Sequence, residues 1–197
     1  ERITAFTWDG YGRMTGADGP RADVTDAAAF TYYPADQGGN LHTVANGKGH
    51  VTTFEDYNEF GRPRTVIDAN NVTTTFVYDA MGRVASRNTA GFTTAYDYDA
   101  VGRLKKITLP GSREIVYDYT AIGQLEKVSD DAGNFVFYQY DAAGNPAREE
   151  YRDAGGSLRR YADFVHDAEN RLERIAYPGG FFEQYGYDDN DIYQTQI

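Results

Sequence analysis

Tyr78-Asp79-Ala80-Met81-Gly82-Arg83-Val84, followed twenty residues on by Tyr98-Asp99-Ala100-Val101-Gly102-Arg103-Leu104, is the stretch from which the fold is read. An aromatic is followed by Asp, two variable residues, Gly, Arg and an aliphatic. Looser copies are Trp8-Asp9-Gly10-Tyr11-Gly12-Arg13-Met14, Tyr57-Asn58-Glu59-Phe60-Gly61-Arg62-Pro63 and Tyr119-Thr120-Ala121-Ile122-Gly123-Gln124-Leu125. Tyr140-Asp141-Ala142-Ala143-Gly144-Asn145-Pro146 and His166-Asp167-Ala168-Glu169-Asn170-Arg171-Leu172 continue the series, and Tyr187-Asp188 begins another copy. The aromatics at 57, 78, 98, 119 and 140 step by 20 or 21 residues, and 166 and 187 follow a longer linker. A unit this short cannot bury an apolar face alone, so the period implies an array of about eight to nine units that stack on one another. The 197 residues are therefore taken as one continuous array.

Each unit reads as a β-hairpin. Thr73-Thr74-Thr75-Phe76-Val77-Tyr78 is rich in β-branched and aromatic residues, and Asp79 and Gly82 bracket two variable positions. Asp at the first position of a four-residue turn accepts bonds from the backbone ahead of it. Gly at the fourth adopts a backbone angle that other residues resist. A second turn, marked for example by Asn46-Gly47, Pro110-Gly111 and Gly155-Gly156, joins each unit to the next. Two turns per unit imply two strands. Alternation places Phe76 with Tyr78, Tyr96 with Tyr98, Tyr117 with Tyr119, Tyr138 with Tyr140 and Tyr185 with Tyr187 on one face, giving an aromatic ladder. After the turn, aliphatics fall three apart, as in Leu104 and Ile107 or Leu125 and Val128, which implies a bulge or strong twist. About sixteen short strands with a right-handed twist do not stay flat. The fold expected is all-β: antiparallel hairpins stacked into a curved or spiralling sheet.

Composition bounds the function. The net charge of -11 disfavours nucleic acid and anionic membrane surfaces as partners. No stretch approaches the roughly 18 apolar residues of a membrane-spanning helix. Cysteine is absent, so disulfides hold nothing and the redox compartment stays open. The chain opens on Glu1 and ends inside the copy begun at Tyr187, and is read as an interior piece of a longer protein.

This repeated phrase resembles the Rhs or YD repeat, and the resemblance runs from Trp8 to Tyr187. The family includes bacterial Rhs polymorphic toxins, shell components of insecticidal toxin complexes, wall-associated repeat proteins and teneurins. The resemblance implies a spiral β-sheet closing into a hollow shell around a cytotoxic domain. It also implies a bacterial protein, secreted or at the cell surface, that is cytoplasmic before delivery. Departures are two extra residues between Tyr33 and Leu41, His166 for Tyr, Asn170 for Gly and Asp191 for Gly. The Asp-Pro-x-Gly-Leu type of segment that ends Rhs cores is missing from the sequence, and no effector domain or self-cleavage site is visible in it.

The acidic residues invite catalytic or calcium readings, which the spacing disfavours. The phrase residues Asp9, Asp79, Asp99, Asp141, Asp167 and Asp188 are read as turn residues. The clusters Asp130-Asp131 and Asp188-Asp189-Asn190-Asp191 lack the ligand loop of a calcium site. Of His42, His50 and His166, only His166 holds a ladder position, and it is read as a substitute for Tyr. Arg13, Arg62, Arg83, Arg103 and Arg171 are expected to pair with acids or stack on rings of the adjacent unit. The residues singled out are therefore structural: the aromatics Trp8, Tyr57, Tyr78, Tyr98, Tyr119, Tyr140, His166 and Tyr187, these acids and arginines, and the glycines Gly12, Gly61, Gly82, Gly102, Gly123 and Gly144. No catalytic residue, metal or cofactor is assigned. The favoured reading is a non-enzymatic shell segment enclosing a toxin or other polypeptide cargo, with further repeats of the parent chain as partners. Self-association is expected when the piece stands alone, because its sheet edges are unpaired. The alternative is a surface-exposed adhesive module whose Tyr row stacks on carbohydrate.

Overall fold

The computed structural model describes residues 4–21, 23, 26–187 and 193–196, which form two compact units, Glu1–Ala95 and Tyr96–Ile197. The first unit holds β1 (Ala5–Trp8), β2 (Met14–Asp18), β3 (Ala28–Tyr32), β4 (Leu41–Ala45), β5 (Val51–Tyr57), β6 (Pro63–Ile67), β7 (Thr73–Tyr78) and β8 (Val84–Thr89). β9 (Phe92–Tyr98) begins in the first unit and ends in the second. The second unit continues with β10 (Leu104–Thr108), β11 (Glu114–Tyr119), β12 (Leu125–Asp130), β13 (Phe135–Tyr140), β14 (Pro146–Arg152), β15 (Leu158–His166), β16 (Leu172–Ala176), β17 (Phe182–Tyr187) and β18 (Tyr193–Gln196). The protein is all-β, and within each unit the strand pairs whose register is described are antiparallel.

The described residues form eighteen strands where about sixteen were expected. The difference is a ninth hairpin that the phrase search misaligned. Tyr32, not Tyr33, takes the aromatic position, because Tyr32 pairs with Leu41 across a register step as Tyr78 pairs with Val84. The Tyr33 amide then donates to the Asn40 carbonyl at 2.8 Å, which is the closing bond of the turn. Three extra residues relative to the Tyr78 turn are taken up by a short 3-10 turn, Ala35–Gln37.

The Asp-x-x-Gly turn closes on itself. At the tip of β7 and β8 the Asp79 amide donates to the Arg83 carbonyl at 2.9 Å, and the Gly82 amide to the Asp79 carbonyl at 2.9 Å. Asp79 Oδ1 accepts the amides of Met81 and Arg83, both at 2.9 Å. Gly82 sits at φ 77°, where a Cβ is strained. The turns at the opposite ends of the strands use the same closure, for example at Asp130 with Gly133 and at Asp153 with Gly156. Ala90-Gly91 is different: both residues have positive φ, as in a two-residue hairpin turn.

Several tips also carry a bulge, whereas β5 and β6 keep one register to the Tyr57–Pro63 pair. Val77 pairs with Ser86 and Tyr78 with Val84, so Ala85 is the extra residue. In β11 and β12, Asp118 pairs with Lys127 and Tyr119 with Leu125, leaving Glu126 over. The bulge accounts for the three-residue spacing of the aliphatics: Leu125 and Val128 end on one face, opposite Tyr119 and Tyr117.

The other face of the second unit is ionic. Glu150, buried at 7% exposure, lies between Arg148 at 2.8 Å and Arg152 at 2.6 Å, and Arg148 also reaches Asp163 at 3.0 Å. Among the described residues no hydrophobic side chain is fully buried. Within each unit the strands are held by contacts with their neighbours in sequence.

Replacing Gly82 by Ala should cost about 1–2 kcal/mol in urea denaturation, because an L residue must hold a left-handed angle. The new Cβ would also press on the Phe60 ring at 3.2 Å. Gly10→Ala, where a Cβ meets nothing within 4 Å, should stay within about 0.5 kcal/mol of the parent.

Candidate functional site

The phrase residues form one linkage that recurs from hairpin to hairpin. It starts from the turn acid, whose Oδ1 is held by backbone amides and whose Oδ2 faces the arginine four residues on. Nε donates to Oδ2 at 2.7 Å in Arg13–Asp9, Arg83–Asp79 and Arg103–Asp99, and at 2.9 Å in Arg171–Asp167. Fixed in this way, the guanidinium lies over the ring of the next phrase aromatic. Arg13 stands 4.5 Å from the Tyr32 centroid, and Arg103 and Arg171 each 4.4 Å from those of Tyr119 and Tyr187.

The phenol then completes the link. Tyr119 donates to the Leu104 carbonyl at 2.8 Å, Tyr140 to Leu125 at 2.7 Å and Tyr187 to Leu172 at 2.7 Å. In the first unit Tyr32 donates to Met14 at 2.7 Å, Tyr57 to Leu41 at 2.6 Å and Tyr78 to Pro63 at 2.8 Å. The acceptor is the residue that opens the second strand of the preceding hairpin. A bulge lies beside the Met14, Leu41, Leu125 and Leu172 acceptors, while Pro63 accepts at a tip without one. One side chain thus spans two hairpins, with its ring under the arginine of one and its oxygen on the backbone beside it.

Ionisation follows the geometry. At Asp9 the Arg13 amide bond is the largest influence, and with the Arg13 guanidinium it holds the carboxyl below its ordinary value. At Asp79 and Asp99 desolvation is the largest single influence and pushes up. The bonds from the following arginine outweigh it, and the net direction is down. Desolvation raises the phenols of Tyr57, Tyr78, Tyr119 and Tyr140, which keeps their hydroxyls protonated as donors.

Variant phrases keep part of the linkage. Asn58 replaces the acid and still accepts the Phe60 and Arg62 amides at 3.0 Å. Gln124 replaces Arg and donates to the Gly144 carbonyl at 3.3 Å. Asn145 reaches both Asp141 and Asn170. His166 pairs with Leu172 at the aromatic position and is nearly buried, its Nδ1 4.0 Å from Asp141 Oδ2. Asn170 takes the glycine angle at φ 61°. Trp8 pairs with Met14 but stays exposed, and Tyr98 ends β9 ahead of the Asp99 turn. Asp188 and the cluster around it lie outside the described residues.

Nothing in this arrangement converges on a reacting centre. Among the described residues no three of His, Cys, Asp and Glu gather in a way that could hold a metal ion. Asp130 spends its carboxylate on the Asn134 amide at 2.8 Å. His42 packs on Tyr33, with centroids 4.5 Å apart. The sequence reading missed the phenol-to-carbonyl bond. The signal was present in the choice of residue, because the phrase position holds Tyr at 57, 78, 98, 119, 140 and 187, while the position two earlier accepts Phe at 76 and 164. It also missed Tyr177 and the bonds to Glu183, whose two oxygens accept from the hydroxyls of Tyr177 and Tyr185 at 3.0 and 2.7 Å.

Removing one hydroxyl with Tyr119→Phe should lower stability by about 1 kcal/mol, the usual net value of such a bond. Tyr119→Ala also loses the ring beneath Arg103 and should cost about 2 kcal/mol or more by urea denaturation. The acids set a pH limit. Their folded pKa values are depressed, so their contribution is present above the unfolded value of about 4. It is lost as pH falls through the lower folded value. Urea midpoints should be flat from neutral pH to about pH 5 and then drop, and Asp99→Asn should flatten that drop.

No curated protein matches this chain. Among solved structures, the crystal structure of TcdB2-TccC3-Cdc42 superimposes with a TM-score of 0.66 at 16% identity, covering 96% of this chain and 12% of that one. TcdB2-TccC3 without its hypervariable C-terminal region gives 0.64 at 16% identity, covering 94% and 12%. The chain thus spans about an eighth of the length of these structures, and at such identities the likeness establishes the fold. The family model described as teneurin YD-shell matches residues 28–149, more than half of the chain. With that match, and with the Tyr-Asp-x-x-Gly-Arg linkage running through both units, the chain belongs to the teneurin YD-shell family.

Proposed function

We propose that this chain is a non-enzymatic stretch of the wall of a hollow β-shell that encloses a toxin or other polypeptide cargo, in a longer bacterial protein that is secreted or displayed on the cell surface. The observation that carries this reading is the recurring bond from a phrase Tyr to the carbonyl of the preceding hairpin. The phrase acid is spent on its own turn and arginine, and the guanidinium and phenol on the adjoining hairpin. Groups committed in this way propagate a wall and leave little for a substrate.

Family membership supports a shell-forming repeat, and enclosure extends that to what the wall does. Strands paired on both sides resist proteases, because their backbone groups are bonded strand to strand and offer no extended segment to a protease cleft. The partners on this reading are further repeats of the parent chain and the enclosed polypeptide. Display of the tyrosines for carbohydrate is disfavoured, since the hydroxyls and ring faces that would meet a sugar are engaged by carbonyls and arginines within the sheet.

Limited proteolysis of the complete parent protein tests the proposal. The repeat region and the enclosed polypeptide should resist digestion together, and both should become sensitive over the same range of denaturant. Digestion at uniform speed along the whole parent in native buffer would overturn it.

A further inference from the structure

Asn46-Gly47 is the only Asn-Gly pair in the chain, and it opens the turn between β4 and β5. The Asn46 amide donates to the His50 carbonyl at 3.0 Å and the Gly49 amide to the Asn46 carbonyl at 2.8 Å, which closes the turn. Asn46 Oδ1 accepts the amides of Lys48 at 3.0 Å and His50 at 3.1 Å, while Nδ2 lies 3.4 Å from His50 Nδ1. Asn46 and His50 are both exposed, so water reaches them. Other turns of this kind hold Asp68, Asp130 or Asp153 at the same position, and there too Oδ1 accepts the amide four residues on.

That geometry has the parts of an acyl-transfer site. Attack at Asn46 Cγ places negative charge on Oδ1, where two backbone N–H groups already point. Histidine takes and gives a proton near neutral pH, and His50 stands at the nitrogen that must leave. The nucleophile is the amide nitrogen of the next residue, and Gly47 carries no Cβ to hinder closure of a ring through that nitrogen. Asn58 supplies a contrast in the same unit. Its Oδ1 accepts the Phe60 and Arg62 amides at 3.0 Å in the same way, but Glu59 follows it and Arg62 stands in the place of His50.

We propose that Asn46 is a site of self-catalysed deamidation, with the Gly47 amide nitrogen as nucleophile and His50 as the acid for the leaving ammonia. The Gly47 nitrogen gives its proton to water and bonds to Asn46 Cγ, and the carbonyl pair moves onto Oδ1. The carbonyl then re-forms as the Cγ–Nδ2 bond breaks. The electron pair of that bond takes the proton of the His50 imidazolium, and ammonia departs. A five-membered imide now joins residues 46 and 47, and water opens it. His50 regains its proton from solvent, so the sum consumes one water and releases one ammonia. Opening at Cγ leaves an aspartate on an unaltered backbone, the residue that the turns at Asp68, Asp130 and Asp153 already use. Opening at the main-chain carbonyl leaves an isoaspartyl link, whose extra backbone carbon disrupts the closure between residues 46 and 50. The first product keeps the turn and adds one negative charge to its tip.

Incubating the 197-residue chain in neutral buffer and mapping its peptides by mass tests the proposal. Asn46 should convert about tenfold or more faster than Asn58, which has the same amide bonds but neither the glycine nor the histidine. His50→Gln should slow conversion of Asn46 by about tenfold or more, with circular dichroism unchanged because the residue is exposed. In urea the same substitution should have no effect, since the imidazole no longer faces the amide. Gly47→Ala should slow the reaction in both conditions. Glu59→Gly combined with Arg62→His should carry the reaction to Asn58. Equal rates at Asn46 and Asn58 in native buffer, or a His50→Gln chain that converts as fast as the parent there, would overturn the proposal. An Asn46 that stays intact in the folded chain while it converts in urea would overturn it as well.

Discussion

A phenol bonded to the backbone of the preceding hairpin, with an arginine seated on its ring, is the contact on which the rest of this structure depends. Backbone pairing alone makes a ribbon free to slip by two residues, since the side-chain period of a strand permits it. The tyrosine removes that freedom. Its oxygen reaches one carbonyl, that of the residue opening the second strand of the preceding hairpin. The arginine above the ring is itself fixed by an acid whose other oxygen closes the turn. Turn, ion pair and ring thus meet in one linkage, and the variant phrases at Asn58 and Gln124 keep the turn or the phenol bond when another part is replaced.

This explains how a sheet with no fully buried hydrophobic residue among those described can still specify its arrangement. A two-layer domain gains specificity from a packed interior. Here the same work is divided among neighbour contacts, so that stability is close to a sum over adjacent strands, as in other repeat architectures. The apolar residues contribute by being half-covered. Tyr117, Val128 and Val136 follow one another in register across three strands, each shielding the next. The ionic face does likewise through Glu150 and its two arginines, where a buried charge is tolerated because both of its oxygens are paired.

Local features of the fold were legible in the sequence for a physical reason. The Asp79 turn, the left-handed Gly82 and the alternation of Phe76 and Tyr78 are each set by residues within a few positions of one another, and such patterns survive in one dimension. The bulge could be inferred from Leu125 and Val128 because it changes a spacing. The partner of the phenol could not, since it is a backbone oxygen 15 residues back that carries no residue identity. Tyr32 was displaced by one position because Tyr33 is also a tyrosine, and only the pairing with Leu41 separates them. The arginine was left between two roles, pairing with an acid or stacking on a ring, and it fills both at once.

The long turn from Tyr33 to Asn40 carries a consequence for how such proteins diversify. Its extra residues leave the flanking links intact, with Tyr32 still bonded to Met14 and Tyr57 to Leu41. The tips are thus decoupled from the scaffold: a segment can be grafted there, lengthened or given new chemistry while the strands beneath keep their spacing. Variation along that rim can be selected for recognition, with the weave below it left unchanged.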